Sequence, residues 1–424
     1  MKIRLLETKT LYSDGKYNSW TDICRWAGRY YAIFNAQAQG HRGGHKLYMI
    51  MSSPDGWNWD ESTLLDTSKE IESGVCFQPK FLPTADRLYI FSMAFVPNEL
   101  DLDDQKRDEL KKRWLSLGGD KERFEYWVRC HSERYQTYSN YTQDGKNWSS
   151  FTPLLDDGWQ IHTTAEFEGR YYMVPLHSHT YQWEITPALE RMIPVAHELS
   201  PIFTDETWGK LKARDLPNGT KAQQIEANRP KRIEIFETCS LMSSTDGTDW
   251  RIVSNLPEDD NDESTVGFDP TGKALVVSRI GAAGKHSFAY VADPPYKKWR
   301  RISLNQVIQQ PAVQWVNGSW IVAGRGMDPE SLVGSPLGNN KLAAYHPVCV
   351  WQLDDQTGEL SDKLVLPSWG DCGTPGFVMN DDEEMLVIYY SHDERTEETK
   401  MMGAGPLPGK LAPVGIYLAR IAFE

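Results

Sequence analysis

The sequence predicts an all-β protein: one domain, residues 1–424, folded as a closed six-bladed β-propeller. Three observations carry the prediction. A turn motif recurs three times after strand-like runs: Ser53-Pro54-Asp55-Gly56-Trp57-Asn58-Trp59, Thr142-Gln143-Asp144-Gly145-Lys146-Asn147-Trp148 and Ser244-Thr245-Asp246-Gly247-Thr248-Asp249-Trp250. All three fit S/T-x-D-G-x-x-W. Short alternating runs, about four per repeat, continue along the chain between turns rich in Gly and Asp. Finally, the last repeat is one strand short, while the first run, Ile3 to Tyr12, has no sequence neighbour to pair with. Pairing the two closes a ring and removes the sheet edges.

The repeats can be taken in order. Ile3 to Tyr12 is the orphan strand. The first unit, about Ser19 to Asp66, reads Thr21 to Trp26, Arg29 to Phe34, Lys46 to Met51, then a strand near Glu61 to Leu65. Asp-Gly in the motif supplies positive-φ turn positions, and the Trp is expected to plug a gap beside its own strand pair. The second unit has Ser73 to Phe77, Arg87 to Phe91 and Tyr135 to Tyr141, interrupted by an insertion over about 97–122. Within that insertion, Asp101 to Leu117 has the spacing of a surface helix. The third unit has His162 to Phe167 and Gly169 to Val174, and carries a long polar insertion over about 182–233. The fourth runs through Ser264 to Phe268, Ala274 to Arg279, Ser287 to Val291 and Trp299 to Leu304. Its turn, Asp293 to Trp299, is a decayed copy of the motif. The fifth has Pro311 to Val316, Ser319 to Ala323, Pro347 to Leu353 and Lys363 to Leu366. The sixth has Gly376 to Met379, Glu384 to Tyr390 and Gly415 to Ile421.

Composition narrows the function classes. The net charge is -14, which argues against nucleic acid and anionic membrane as partners. No stretch is apolar enough to span a bilayer. The first residues carry charges where a signal peptide needs an apolar core, so the expectation is cytoplasmic residence, or export with a leader already removed. The six Cys (24, 76, 130, 239, 349, 372) lack metal-ligand spacing and read as free buried thiols. Sixteen Trp and nineteen Tyr suit sheet-on-sheet cores and platforms for sugar rings.

The three S/T-x-D-G-x-x-W turns resemble the Asp-box (BNR) repeats of the sialidase (neuraminidase) superfamily of propellers. The C-terminal half is similar to bacterial sialidase-like proteins of unassigned substrate. The matching residues are Glu263, Phe268-Asp269-Pro270-Thr271-Gly272-Lys273-Ala274, Val276-Val277-Ser278-Arg279, Ala323-Gly324-Arg325, Gly370-Asp371-Cys372-Gly373-Thr374-Pro375-Gly376, Tyr389-Tyr390-Ser391-His392 and Ile416-Tyr417-Leu418-Ala419-Arg420. The resemblance implies a six-bladed propeller that acts on carbohydrate. Sialidases also carry an early Arg-Ile-Pro-like motif and three arginines that clamp a carboxylate. This chain lacks the motif, and only Arg279 and Arg325 suggest themselves as clamp members.

In a propeller the starts of the innermost strands, and the loops joining second to third strands, crowd one mouth, where ligand sites form. The strand starts offer Asp22, Glu72, His162, Glu166, Glu263, Gln310 and Asp371. The loops offer His41, Arg42, His45, His177, His179, Arg279, Arg325, Tyr390 and His392. Six of the ten His fall in this set, an enrichment that suits a ligand mouth. The candidate catalytic residues are Asp22, Glu166, Glu263, Asp371, His177 and His392, because glycoside hydrolysis needs two carboxyl groups flanking the scissile bond. The competing role for each carboxylate is to cap its own turn. Candidate substrate-binding residues are Arg279, Arg325, His45, His162, His179 and Tyr390. The guanidinium groups suit a carboxylate or sulfate, and each also suits a structural salt bridge to Glu263 or Asp371. His177 and His179 lie on one strand face, and hydrogen bonding in a pocket wall is favoured there over metal binding with His162. No cofactor and no metal are expected. The function these residues predict is an exo-acting glycoside hydrolase of sialidase-like fold on an acidic or polar sugar. The alternatives are a polysaccharide lyase with a His base, Tyr390 as acid and Arg neutralisation, or a non-catalytic glycan-binding propeller.

Overall fold

The computed structural model describes residues 1–38, 46–71, 76–97, 105, 108–109, 111–112, 115, 133–155, 158–178, 237–257, 261–280, 286–327, 347–369, 371–392 and 413–424. The fold is all-β, with its sheets in a propeller arrangement. Strand β1 is Ile3–Tyr12. A first antiparallel set follows: β2 (Tyr17–Trp26), β3 (Arg29–Ala38), β4 (Leu47–Ser53) and β5 (Glu61–Asp66). A second is β6 (Cys76–Pro83), β7 (Leu88–Pro97), β8 (Glu133–Thr142) and β9 (Thr152–Pro153). The third contains β10 (Trp159–Gln160), β11 (Thr164–Phe167), β12 (Arg170–Met173), β13 (Leu176–Ser178), β14 (Glu237–Ser244) and β15 (Arg251–Asn255). The fourth is β16 (Asn261–Phe268), β17 (Ala274–Ile280), β18 (Phe288–Ala292) and β19 (Arg300–Ser303). The fifth is β20 (Val307–Val316), β21 (Ser319–Met327), β22 (Val348–Leu353) and β23 (Leu360–Val365). Last come β24 (Gly373–Met379), β25 (Met385–His392) and β26 (Val414–Phe423).

Hydrogen bonding does not divide these strands into the six separate sheets expected. Among the described residues it gives five: three four-stranded, one six-stranded and one eight-stranded. The eight-stranded sheet joins the first set to the last, because β2 and β26 meet at one parallel pair, Tyr17 with Val414. Strand β1 pairs antiparallel with β26 from Ile3↔Phe423 to Tyr12↔Ile416, so the orphan strand does complete the last repeat. The strands β2, β6, β11, β16, β20 and β24 neighbour one another in a closed cycle around the centre. The residues described between 105 and 115 are helical, as the insertion's spacing predicts. The insertion over about 182–233 lies outside the described residues.

The Asp-box turn is closed by its own side chains, as its Asp and Ser/Thr residues lead one to expect. In each copy the Asp carboxylate ties the turn to itself. Asp55 accepts from the N–H of Trp57 and Asn58 at 2.8 and 2.7 Å, and Asp144 and Asp246 repeat the pattern. The Trp reaches beyond its own strand pair and packs against the preceding sheet as well. Trp250 meets Phe91 of β7 edge-on at 5.9 Å, and Trp148 packs on the cluster holding Tyr31 and Ile33 of β3. The decayed copy does the same, since Trp299 donates to Ser254 of β15 at 2.9 Å. Trp59 joins Leu386 and Ile388 of β25. The motif is therefore a spacer that sets one sheet against the one before it. The described cysteines, Cys24, Cys76, Cys239, Cys349 and Cys372, are buried thiols in no disulfide, and Cys130 lies outside the described residues.

Candidate active site

The innermost strands share a feature that builds the site. Five of them carry a one-residue bulge against their second strand, at matching depth. The bulges fall between Ser19 and Asp22, Phe77 and Lys80, Asn261 and Ser264, Gln309 and Ala312, and Gly373 and Gly376. Four of the five hold a non-glycine residue in the left-handed region: Trp20 (φ 52°), Gln78 (56°), Gln310 (51°) and Thr374 (44°). Such positions cost about 1 kcal/mol or more each and persist only where the surrounding structure fixes them. A bulge also re-aims the side chains beside it. Here it turns Asp22, Gln78, Lys80, Glu263, Gln310 and Thr374 onto a common central cleft of about 480 Å³.

Asp22 and Glu263 are the predicted carboxylates that this cleft brings together. Asp22 accepts from the Phe81 N–H at 2.7 Å and lies 3.9 Å from the Lys80 ammonium. Burial pushes its carboxyl above the usual range, against the pull of Lys80 and of the Phe81 and Ile23 amides. Burial lowers Lys80 in turn, opposed by Asp22 and Glu263. The Lys80 ammonium is held by the Thr21 carbonyl at 3.0 Å. Glu263 accepts from Arg279 and from the Gln310 N–H, both at 3.0 Å. His162 also lines the cleft, and Gln78 Nε2 donates to its Nδ1 at 2.7 Å.

Asp371 anchors a second, deeper cluster. It is 3% exposed and pairs with Arg325 at 3.3 Å. Tyr17 and Tyr390 both donate to it, the latter at 3.4 Å. Burial, then the Asp371 charge, drives both phenols well above their usual pKa. Burial works against the Arg325 charge, but Tyr390 and Asp371 hold its pKa above the ordinary value. Gln309 Oε1 fixes the Arg325 Nε at 2.8 Å.

The other predicted residues lie apart from these two clusters, although Glu166 lines the same cleft. Glu166 sits on β11 towards the opposite end of the cleft, exposed, and its Oε1 accepts from the Gly169 N–H at 2.6 Å, so it caps its own turn. His177 stands edge-on to Trp159 at 4.4 Å. His392 is fully buried, with Nδ1 3.2 Å from the Pro413 carbonyl. His41, Arg42, His45, Glu72 and His179 lie outside the described residues. Among the described residues no three His, Cys, Asp or Glu are grouped to hold a metal.

Lys80, Gln78, Thr374 and Tyr17 were not anticipated. A sequence signal for three of the bulges exists: Gln78-Pro79, Gln310-Pro311 and Thr374-Pro375 each place a proline directly after the left-handed residue. Proline has no N–H to offer the ladder, which suits a bulge.

Neither a protein-family profile nor a curated protein matches the sequence. Solved structures share the fold. A protein of unknown function from Dyadobacter fermentans is similar over 100% of both chains, at 15% identity and a TM-score of 0.61. Trypanosoma rangeli sialidase is similar over 96% of this chain and 55% of its own, at 10% identity and a TM-score of 0.53. The chain thus spans about half the length of that sialidase. Likenesses at these identities establish the propeller fold.

Proposed function

We propose that the protein is a glycoside hydrolase built on a six-bladed sialidase-like propeller, exo-acting on a polar sugar held in the central cleft. The six blades follow if the eight-stranded sheet is divided at the single Tyr17–Val414 pair. The observation that carries the reading is the placement of Asp22 and Glu263 on innermost strands of two different sheets, facing one cleft with Lys80 between them. Their environments differ, as an acid–base pair requires. Asp22 is buried with a raised pKa and is suited to hold the proton given to the leaving oxygen. Glu263 accepts from a guanidinium and an amide N–H, which fix its position, and serves as base or nucleophile. Gln78, His162, Gln310 and Thr374 supply hydroxyl-binding groups around them.

A chromogenic glycoside panel tests the reading. Hydrolysis releases the chromophore and a saturated reducing sugar. A product absorbing through a new double bond would assign the lyase reading instead. Binding without turnover would assign the glycan-binding one.

A further inference from the structure

We infer that the cleft selects a neutral, polyhydroxylated sugar and rejects a carboxylated one. The inference rests on the glycosidase reading and deepens it. An anionic sugar is favoured by a cation whose charge no carboxylate already offsets. Among the described residues, the Lys and Arg side chains that line the cleft or stand behind its wall are each ion-paired. Lys80 lies 3.9 Å from Asp22. Arg279 lies 3.0 Å from Glu263 and 3.8 Å from Asp262. Arg325 lies 3.3 Å from Asp371. At the outer end Arg25 is bound to Asp381 at 2.6 Å.

These commitments are built into the fold. Glu263 is locked by the Gln310 amide at 3.0 Å, and Arg325 is aligned by Gln309 at 2.8 Å. Releasing Arg279 or Arg325 to a ligand would strand a largely buried carboxylate. A sugar carboxylate would also meet Glu263 as a like charge. What the cleft offers instead is uncharged polarity. Gln78, Thr163, Thr265, Gln310 and Thr374 line it, and the Thr374 hydroxyl, 4% exposed, has no hydrogen-bond partner among the described residues. A buried hydroxyl in that state is matched by a ligand hydroxyl, which both gives and accepts a hydrogen bond.

The test uses matched pairs on the full chain: 4-nitrophenyl glucoside against glucuronide, galactoside against galacturonide, mannoside against mannuronide, with a 4-nitrophenyl sialoside added. Binding is read by calorimetry and turnover by nitrophenol release. At least one neutral member is expected to bind about tenfold or more tightly than its uronide. Its affinity should hold from low to high salt, since no exposed charge pair forms. Asp22→Asn, which frees Lys80, should narrow the neutral-to-uronide ratio by about threefold or more. A uronide or the sialoside binding as tightly as any neutral glycoside overturns the inference and leaves the glycosidase reading standing. No binding by either series overturns both.

Discussion

Lys80 and Asp22 face each other across 3.9 Å at the centre of the ring, with side chains 6% and 17% exposed. They sit on neighbouring innermost strands, each at the edge of a bulge. Burial pushes both groups towards their neutral forms, and each supports the other's charge.

The first prediction follows from that pair. Lys80→Met removes the charge that holds the Asp22 pKa down, so that pKa rises further. Whether Asp22 acts as acid or base, the limb of the kcat/KM profile it governs moves to higher pH, by about one pH unit. The variant also leaves a buried carboxylate without its cation and loses about 3 kcal/mol of stability in urea unfolding. Adding Asp22→Asn restores the stability but not the activity. An unmoved limb with normal stability would show that the pair is not coupled.

Arg325 and Asp371 are expected to behave as a structural pair. Arg325→Met alone strands Asp371 and lowers stability by about 3 kcal/mol, measured by urea unfolding. Asp371→Asn in the same chain recovers most of it. If the double variant stays as unstable as the single one, the pair is not what holds the cluster.

The Asp-box spacer can be tested with two glycines of nearly equal φ. Gly28 has φ +77°, and a Cβ there would meet nothing within 4 Å. Gly56 has φ +75°, but its Cβ would stand 2.5 Å from Leu386 of β25. Gly28→Ala should cost about 1 kcal/mol from the left-handed backbone alone. Gly56→Ala should cost about 2 kcal/mol more by overpacking against the neighbouring strand set. Equal Tm losses would mean that the motif does not seat one sheet on the next.

Asp246 gives a pH prediction. Hydrogen bonds from the Asp249 and Thr248 amides lower its pKa to about 2. A depressed carboxylate stabilises the fold above its unfolded pKa, and that stability is lost as pH falls through the folded value. Its contribution should therefore fade between about pH 4 and pH 2. Asp246→Asn should lower Tm at pH 7 while narrowing its gap from wild type over that interval. A constant gap would remove the carboxylate's charge from the explanation.

How far the sequence reached depends on range. The Asp-Gly-Trp turns were legible because their hydrogen bonds close within a few residues, from Ser53 to Asn58 for example. The pairing of Ile3–Tyr12 with β26 was legible because an unpaired strand at each end demanded a partner. What the turn's Trp packs against was not, because Trp250 finds Phe91 across 159 positions of chain. The site was half legible. Asp22, Glu263, His162 and Gln310 follow from their places at strand starts. Lys80 does not, because only the one-residue bulge turns it inward, and the alternation of β6 by itself does not reveal that shift. Glu166 occupies an equivalent strand but caps its own turn, since β11 is four residues long and carries no bulge.

The central claim is that Asp22 and Glu263 perform the chemistry in the cleft. Its most direct measurement is kcat for Asp22→Asn, Glu263→Gln and Glu166→Gln on the best neutral glycoside, with circular dichroism confirming the fold of each. The first two should lose about 100-fold to 10,000-fold in kcat, while Glu166→Gln keeps wild-type turnover. Wild-type turnover in both Asp22→Asn and Glu263→Gln would contradict the account.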